Sequence, residues 1–307
     1  MRFTRLPAYI LTMSALRTLL AGLVDYAGLF PPADLPMAKA VENYASYRKG
    51  PYHWMLGRFI LPVSLLTEFK ALAGGLAPAA GEPWWLSALV NSASLKADIS
   101  AASDFNERHD DLGAVVDTFE MKAADAETIT EAATLIPRGA VLYVEVPLDP
   151  DPAPLLDAIA AAKVRAKGRT GGVTNDTIPS SAQVARFLAG CTERGIVFKC
   201  TAGLHHPIRA RYPLTYAADA PSGVMHGFVN VFLAGAYLLH GMPEQEAVTL
   251  LEETALAAFK FDDKGVTWRS HHLAFEQLAA ARAYATSFGS CSFDEPLADL
   301  KAAGVLK

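Results

Sequence analysis

Residues 140–167, AVLYVEVPLDPDPAPLLDAIAAAKVRAK, decide the fold class of this chain. The segment opens with the strand-like run AVLYVEV (140–146), continues with the helical stretch DPAPLLDAIAAA (151–162) and closes with the short run KVRAK (163–167). A strand, a helix and a second strand in this order predict two parallel strands joined by a helical crossover. The fold then depends on how often this unit repeats along the 307 residues.

The same alternation runs through the whole chain. Strand-like runs, each with a helical stretch behind it, occur at 21–30, 59–63, 84–90, 113–121, 140–146, 163–167, 196–201 and 255–261. Eight such units favour a (β/α)8 TIM barrel over an open doubly wound sheet, and no Gly-x-Gly-x-x-Gly follows the first run. We therefore predict one α/β domain over residues 1–307, a (β/α)8 TIM barrel, with a long loop at about 203–222 over the barrel mouth.

The composition excludes several classes of partner. The chain is 51% hydrophobic with a net charge of −5, and it has no basic stripe, which argues against nucleic acid. The uncharged run 222–239 contains His226 and Asn230, which predicts a buried helix with a polar edge rather than a membrane span. Three cysteines without CxxC spacing are typical of reduced thiols in the cytoplasm. We expect a cytoplasmic protein with a small-molecule substrate, and a homo-oligomer stays open.

Two lysines stand near the ends of consecutive predicted strands. In such a barrel the chemistry lies at the C-terminal ends of the strands. Side chains alternate along a strand, so Lys167 on one strand and Lys199 with Thr201 on the next point into the barrel. Two neighbouring ammonium groups repel each other, which lowers the pKa of one of them. A lysine that is neutral near pH 7 attacks carbonyl carbon and forms a Schiff base.

Carboxylates at neighbouring strand ends can move protons for such a lysine. Glu145 ends the run 140–146 and shares its inner face with Tyr143. Asp117 and Glu120 both lie in the run 113–121, where strand parity favours Glu120 as the inward residue, and both stay candidates. Lysines and carboxylates together suffice for carbon–carbon cleavage through an enamine, so the sequence calls for no cofactor and no metal.

Four short segments resemble the deoxyribose-phosphate aldolase family. AKGRTGGVT (166–174) is similar to its Schiff-base segment, and FKCTAGL (198–204), VLYVEV (141–146) and GAVVDTFEMK (113–122) are similar to neighbouring strands. The resemblance covers roughly residues 113–203 and implies a class I aldolase of the TIM-barrel type. By this match Lys167 forms the Schiff base, Lys199 lowers its pKa and Asp117 joins the proton relay.

The chain departs from the family where the family binds phosphate. The run FKFDDKGVTW (259–268) stands in that place after the expected eighth strand, and its two aspartates would repel a phosphate. Arg169 replaces a small polar residue and can hold a carboxylate instead. Thr170, Gly171 and Gly172 form either a plain turn or a nest of backbone N–H groups for an anion. We therefore expect a lyase acting on a small, non-phosphorylated carbonyl compound.

Histidines support two further interpretations. His205 and His206 lie in the long loop, with His226 and Asn230 beyond it on one face of the next helix, and these side chains can contact substrate or transfer protons. In the alternative function, the three histidines and Glu145 bind a divalent metal in a barrel hydrolase or isomerase.

A third hypothesis is a non-catalytic binding barrel with salt-bridged lysines. Near the C-terminal end of the chain, His271 and His272 are expected to begin the helix behind the last strand, as capping and surface residues.

Overall fold

The structure is a computed structural model, and it describes residues 14–78, 82–107 and 113–306. The strands are β1 (Val24–Tyr26), β2 (Leu56–Pro62), β3 (Trp84–Leu89), β4 (Ala114–Lys122), β5 (Val141–Val146), β6 (Arg165–Arg169), β7 (Phe198–Thr201), β8 (Ala210–Pro213), β9 (Ser222–Met225), β10 (Phe259–Phe261), β11 (Gly265–Trp268), β12 (His271–Ala274) and β13 (Ala285–Ser290). The helices are α1 (Ala15–Leu20), α2 (Met37–Lys49), α3 (Leu66–Ala73), α4 (Leu95–Asn106), α5 (Ala126–Leu135), α6 (Ala153–Ala162), α7 (Ser181–Glu193), α8 (Phe228–Leu239), α9 (Glu244–Leu251), α10 (Phe275–Ala281) and α11 (Asp294–Ala302).

Within the described residues, eight parallel strands close into a barrel in the order β1-β13-β7-β6-β5-β4-β3-β2. The predicted (β/α)8 TIM barrel is therefore confirmed. Strand β5 shows how the sequence builds it: Leu142, Val144 and Val146 are buried in the hydrophobic core, while Tyr143 and Glu145 make polar contacts inside the barrel. The alternation of side chains along the strand separates these two environments.

The eighth barrel strand is β13, and the prediction of residues 255–261 for this position was wrong. Strand β13 pairs in parallel with both β1 and β7 and so closes the barrel. Residues 259–261 instead form β10, the edge of a three-stranded antiparallel sheet with β11 and β12. The sequence of β13, ATSFGS, has small and polar residues at inward positions, and therefore lacks the apolar run of a buried strand.

This change removes two further expectations. His271 and His272 do not begin a helix, because they lie on β12, where His272 pairs with Thr267 of β11. The side chain of Asp262 caps the turn into β11 by accepting hydrogen bonds from the backbone N–H groups of Lys264 and Gly265. The two aspartates of 259–268 therefore do not follow the eighth strand, and the argument from them against phosphate fails.

The segment after β7 is more regular than a structureless loop. Strands β8 and β9 pair as an antiparallel hairpin, with Ala210 opposite Met225. Helix α8 begins at Phe228 with Gly227 as its N-cap, so His226 precedes the helix and does not share a helical face with Asn230. No helix in the described part of the chain is long and apolar enough to cross a membrane.

Candidate active site

A buried network of ion pairs fills the centre of the barrel. The Nζ atom of Lys199 lies 2.6 Å from Asp25 Oδ2 and 2.7 Å from Glu120 Oε1. The Nζ atom of Lys167 lies 2.7 Å from the other oxygen of Glu120 and 2.9 Å from Glu145 Oε2. Glu120 thus binds both lysines, one through each oxygen.

The register of three adjacent strands brings these residues together. Glu145 on β5, Lys167 on β6 and Lys199 on β7 are Cα partners across the sheet. Because directly paired residues of parallel strands point to the same face, the three side chains enter the barrel at one level. This register confirms the prediction that Lys167 and Lys199 lie on neighbouring strands.

Three further hydrogen bonds reach the carboxylates of Glu120 and Asp25. Ser87 donates a hydrogen bond to Glu120 Oε1 (2.6 Å), and Ser287 donates one to Asp25 Oδ2 (2.7 Å). The backbone N–H of Arg58 donates to Asp25 Oδ1 (2.8 Å). A buried charge is tolerated only when it is paired and hydrogen-bonded, and these contacts meet that condition.

The network favours the charged forms of Glu120, Glu145 and Lys199. Burial favours the neutral form of Glu120, but Lys167 and Lys199 overcome this effect and lower the pKa of the carboxyl group. Burial likewise favours the neutral amine of Lys199, yet Asp25 and Glu120 raise its pKa. The pKa of Glu145 is lowered in spite of burial by Lys167 and Arg169. Lys199 is therefore a permanent cation whose charge is matched by two carboxylates.

Asp117 lies outside this network. Strand β4 pairs Val116 with Leu86 and Thr118 with Ser87, which makes Asp117 the extra residue of a bulge. Its carboxylate accepts two hydrogen bonds from the Arg58 guanidinium, at 2.7 and 2.6 Å. Of the two carboxylates expected on β4, Glu120 contacts the lysines and Asp117 does not.

Asp25 is a member of the network that the sequence did not single out as a site residue. It lies on β1, is 1% exposed and contacts Lys199 directly. Its place within the first predicted strand, 21–30, was the available signal, but a turn-stabilising role was equally compatible with the sequence.

A cavity of about 440 Å³ opens above the network, at the C-terminal ends of the strands. Glu120, Lys167 and Glu145 line its floor. Apolar side chains enclose much of the rest: Phe30, Pro31, Pro32, Ile60, Leu89 and Leu214. A mostly apolar pocket with a few convergent charged groups is the usual form of a small-molecule site.

Several predicted binding residues reach this cavity. Arg169, Gly172, Thr201, His205 and His206 all line it. The Nε atom of Arg169 donates to Glu145 Oε1 at 3.0 Å, so this arginine also orients a carboxylate of the floor.

Other predicted binding residues instead support the backbone. The hydroxyl of Thr170 donates to the carbonyl of Ala202 (2.7 Å), and Gly171 packs tightly against Gly203 of the next strand exit. The ring of His226 is bonded through Nε2 to the carbonyl of Pro179 (2.8 Å), and burial lowers its pKa.

Asn230 also has a structural position in α8. Its amide donates to the carbonyls of Leu250 and Glu253, both at 2.9 Å, and its oxygen accepts from the backbone of Arg209. It therefore ties α8 to α9 and to the segment before β8 and does not line the cavity.

A second polar cluster forms one wall of the cavity. Nδ1 of His205 lies 3.0 Å from Glu295 Oε2 and 3.9 Å from Cys291 Sγ, and the Tyr216 hydroxyl donates to the same Glu295 oxygen (2.8 Å). Burial alone would lower the pKa of His205, but the contacts with Cys291 and Glu295 raise it to about 9. His205 is therefore protonated at neutral pH.

The predicted alternative of a metal site finds no matching ligand group. Across residues 14–78, 82–107 and 113–306, no group of three or more His, Cys, Asp or Glu side chains has the arrangement of a metal site. His205 and His226 contact Glu295 and a backbone carbonyl, and Glu145 contacts Lys167 and Arg169. These residues do not converge on one point.

Comparison with known proteins gives a likeness to solved structures but not to known sequences. No protein-family model and no curated protein sequence matches the chain. Among solved structures, it is similar to a lysine/ornithine decarboxylase from Vibrio vulnificus complexed with cadaverine, at 12% sequence identity and a TM-score of 0.39. The match covers 90% of this chain and 57% of that chain, so this protein spans little more than half of the decarboxylase chain. No activity or substrate is transferred from that enzyme to this one.

Proposed function

We propose that the protein is a lyase of the class I aldolase type, in which Lys167 forms a Schiff base with a small carbonyl compound. One observation carries the proposal: the Lys167 amine lies on the floor of the cavity between two carboxylates, and one of these also binds Lys199. The resemblance of residues 113–203 to the deoxyribose-phosphate aldolase family supports the same reaction class.

The first half of the reaction makes the Schiff base. Lys167 releases a proton to the solvent by way of Glu145, which lies 2.9 Å away and lines the open cavity, and the neutral amine attacks the substrate carbonyl carbon. The carbonyl oxygen takes up two protons, one from the attacking nitrogen and one from the solvent through Glu145, and leaves as water, and an iminium ion remains. Because Asp25 and Glu120 balance the charge of Lys199, that lysine acts by keeping Glu120 in place between the two amines.

The second half breaks the carbon–carbon bond. A hydroxyl group on the β-carbon of the iminium gives its proton to a floor carboxylate, and the bond electrons move into the iminium as an enamine. An aldehyde leaves, the enamine takes back a proton on carbon, and water hydrolyses the new iminium to free Lys167. The reverse sequence joins the two carbonyl compounds.

The substrate is small and carries no phosphate in this proposal. The cavity measures about 440 Å³, and Glu120, Glu145 and Glu295 line it, which disfavours a dianion. We keep the cytoplasmic location and an open oligomeric state as predictions.

Borohydride trapping tests the nucleophile. Incubation with acetaldehyde, acetone or another small carbonyl compound, followed by borohydride, should add the mass of the reduced adduct to the peptide with Lys167. The adduct should disappear in Lys167→Ala and persist in Lys70→Ala, which changes a partly exposed lysine of α3. Modification confined to Lys199, or none with an active substrate, would contradict the assignment.

A second candidate function is ligand binding without turnover. The observation in its favour is that both lysines are held in buried ion pairs, as a purely structural network would require. In that case Lys167→Ala lowers the free energy of unfolding, no carbonyl compound is trapped, and a ligand still binds in the cavity with unchanged stoichiometry.

A further inference from the structure

Two consecutive histidines on the cavity wall are oriented by one helix. Nδ1 of His205 contacts Glu295 at 3.0 Å, and Nδ1 of His206 contacts Asp299 at 2.6 Å. Glu295 and Asp299 are four residues apart on α11, so their carboxylates project from one face of that helix. Helix α11 therefore contacts both imidazole rings through their Nδ1 atoms.

This arrangement leaves the opposite edge of each ring available. Within the part of the chain that the structure describes, Nε2 of neither histidine has a hydrogen-bond partner, and both residues line the cavity. The ring centroids are 6.4 Å apart, and Tyr212 stacks on His206 at 3.5 Å and fixes its plane. A carboxylate on Nδ1 fixes the orientation of a histidine and makes its Nε2 the atom that faces a ligand.

The charges of the cavity lining favour an anion with a single charge. The cationic side chains are Lys122, Lys167, Arg169 and protonated His205, and the carboxylates are Glu120, Glu145 and Glu295. The lining therefore carries one excess positive charge. One carboxylate would neutralise the excess, whereas a phosphate, with a charge of about −1.5 to −2, would overcompensate it.

We propose that His205 and His206 form a carboxylate-binding subsite of the cavity, so that the substrate of the proposed lyase is an oxo acid. The inference rests on the proposed function for the reaction at Lys167 and adds the second anchoring point of the substrate. The Nε2–H of His205 donates to the carboxylate, with the Nε2 edge of His206 beside it, while the carbonyl carbon reaches the Lys167 amine. Charge-assisted hydrogen bonds of this kind are about twice as strong as neutral ones.

Matched pairs of carbonyl compounds test the subsite. Borohydride trapping at Lys167 is compared for pyruvate against acetone and for 4-oxopentanoate against 2-pentanone, which differ in the carboxylate. At least one oxo acid should be trapped about tenfold more efficiently than its neutral partner, as one charged hydrogen bond would provide. His205→Phe and His206→Phe should reduce this advantage, measured within each variant as the ratio of acid trapping to ketone trapping.

Two controls separate the histidines from other cations. His53→Phe, which changes an exposed histidine before β2, should keep the full advantage. Arg169→Gln tests the rival anchor, because Arg169 also lines the cavity. Equal trapping of acids and ketones in the unchanged protein, or an advantage lost only in Arg169→Gln, would overturn the subsite while the Schiff base stands.

A binding measurement covers the case in which no compound is trapped, which would refute the proposed function. The imidazole nitrogen signals of the 307-residue chain are followed by NMR during titration with acetate and, separately, with inorganic phosphate. Acetate should shift the Nε2 signals of His205 and His206, and His205→Phe should weaken the response. A response to phosphate alone, or to neither anion, would refute a carboxylate subsite.

Discussion

At the scale of single residues, Glu120 determines the state of the candidate site. It is 1% exposed, and its two oxygens each bind one lysine. Removing one member of a buried ion network leaves the partner charges without compensation. The carboxylate is therefore as important for the fold as for any chemistry.

Glu120→Gln should destabilise the protein severely. Lys167 and Lys199 would then share Glu145 and Asp25 with a neutral amide between them, at an expected cost of about 3–5 kcal/mol in the free energy of unfolding. Denaturant unfolding measures this cost. The control Glu42→Gln removes an exposed carboxylate that pairs with Lys39 and should leave the unfolding midpoint unchanged. Equal stability of the two variants would show that the network is not energetically important.

His205 should make the stability depend on pH in the alkaline range. Its pKa is raised from 6.5 to about 9 in the folded state, so the folded protein binds the proton more tightly than the unfolded chain. The stabilisation is fully present below pH 6.5 and is lost as the pH rises to 9, at most about 3 kcal/mol by linkage. Unfolding midpoints measured from pH 6 to 10 should fall more steeply for the unchanged protein than for His205→Gln. Parallel curves would contradict the raised pKa.

At the scale of elements, the exits of β6 and β7 approach each other closely at Gly171 and Gly203. A Cβ atom on Gly203 would lie 2.8 Å from the Cα atom of Gly171, and Gly203 has a φ of +73°. The hydroxyl of Thr170 bonds to the carbonyl of Ala202 at the same close approach. The two strand exits are therefore locked together by close backbone contact.

Gly203→Ala should lower the stability of the protein more than the same change at another glycine of similar backbone conformation. Gly304 has a φ of +69° but no atom within 4 Å of a Cβ, so Gly304→Ala reports the backbone strain alone. We expect Gly203→Ala to be less stable than Gly304→Ala by about 1–3 kcal/mol, the usual cost of forced strain or overpacking. Thermal unfolding of both variants measures the difference, and equal losses would exclude a tight approach of the two strand exits.

Strand β4 shows the limit of predicting the site from element patterns. Alternation along 113–121 favoured Glu120 over Asp117 as the inward residue, and Glu120 does contact the lysines. The bulge at Asp117 could not be foreseen, since it depends on the register with β3. The lysines were predictable because β6 and β7 are regular strands whose parity can be counted from their own residues.

At the scale of the whole molecule, closure of the barrel depends on β13. Phe288 is fully buried and pairs with Val24 of β1. Its ring stacks on that of Phe228, with the two ring centroids 5.3 Å apart. The opposite face of the strand supplies Ser287, which donates to Asp25 of the ion network. Closure and the candidate site therefore share this strand.

Phe288→Ala should be among the most destabilising core substitutions, at about 3–5 kcal/mol. Phe261→Ala on β10 is the matched control, because residues 255–261 were expected to close the barrel but Phe261 is only partly buried. Phe261→Ala should lower the free energy of unfolding clearly less than Phe288→Ala does. Denaturant unfolding compares the two, and a larger effect at Phe261 would contradict the assignment of β13 as the eighth strand.

Local pattern was enough for the fold class, for most barrel strands and for the inward placement of Lys167 and Lys199, because helix and strand periodicity are properties of neighbouring residues. Only the tertiary structure identified the strand that closes the barrel. It also revealed that Asp25 pairs with Lys199 and that carboxylates of α11 contact His205 and His206. These contacts join residues that are 174, 90 and 93 positions apart for Lys199, His205 and His206. Strand register and the packing of the last helix determine which residues meet. Neither the register nor this packing produces a periodic pattern in the sequence.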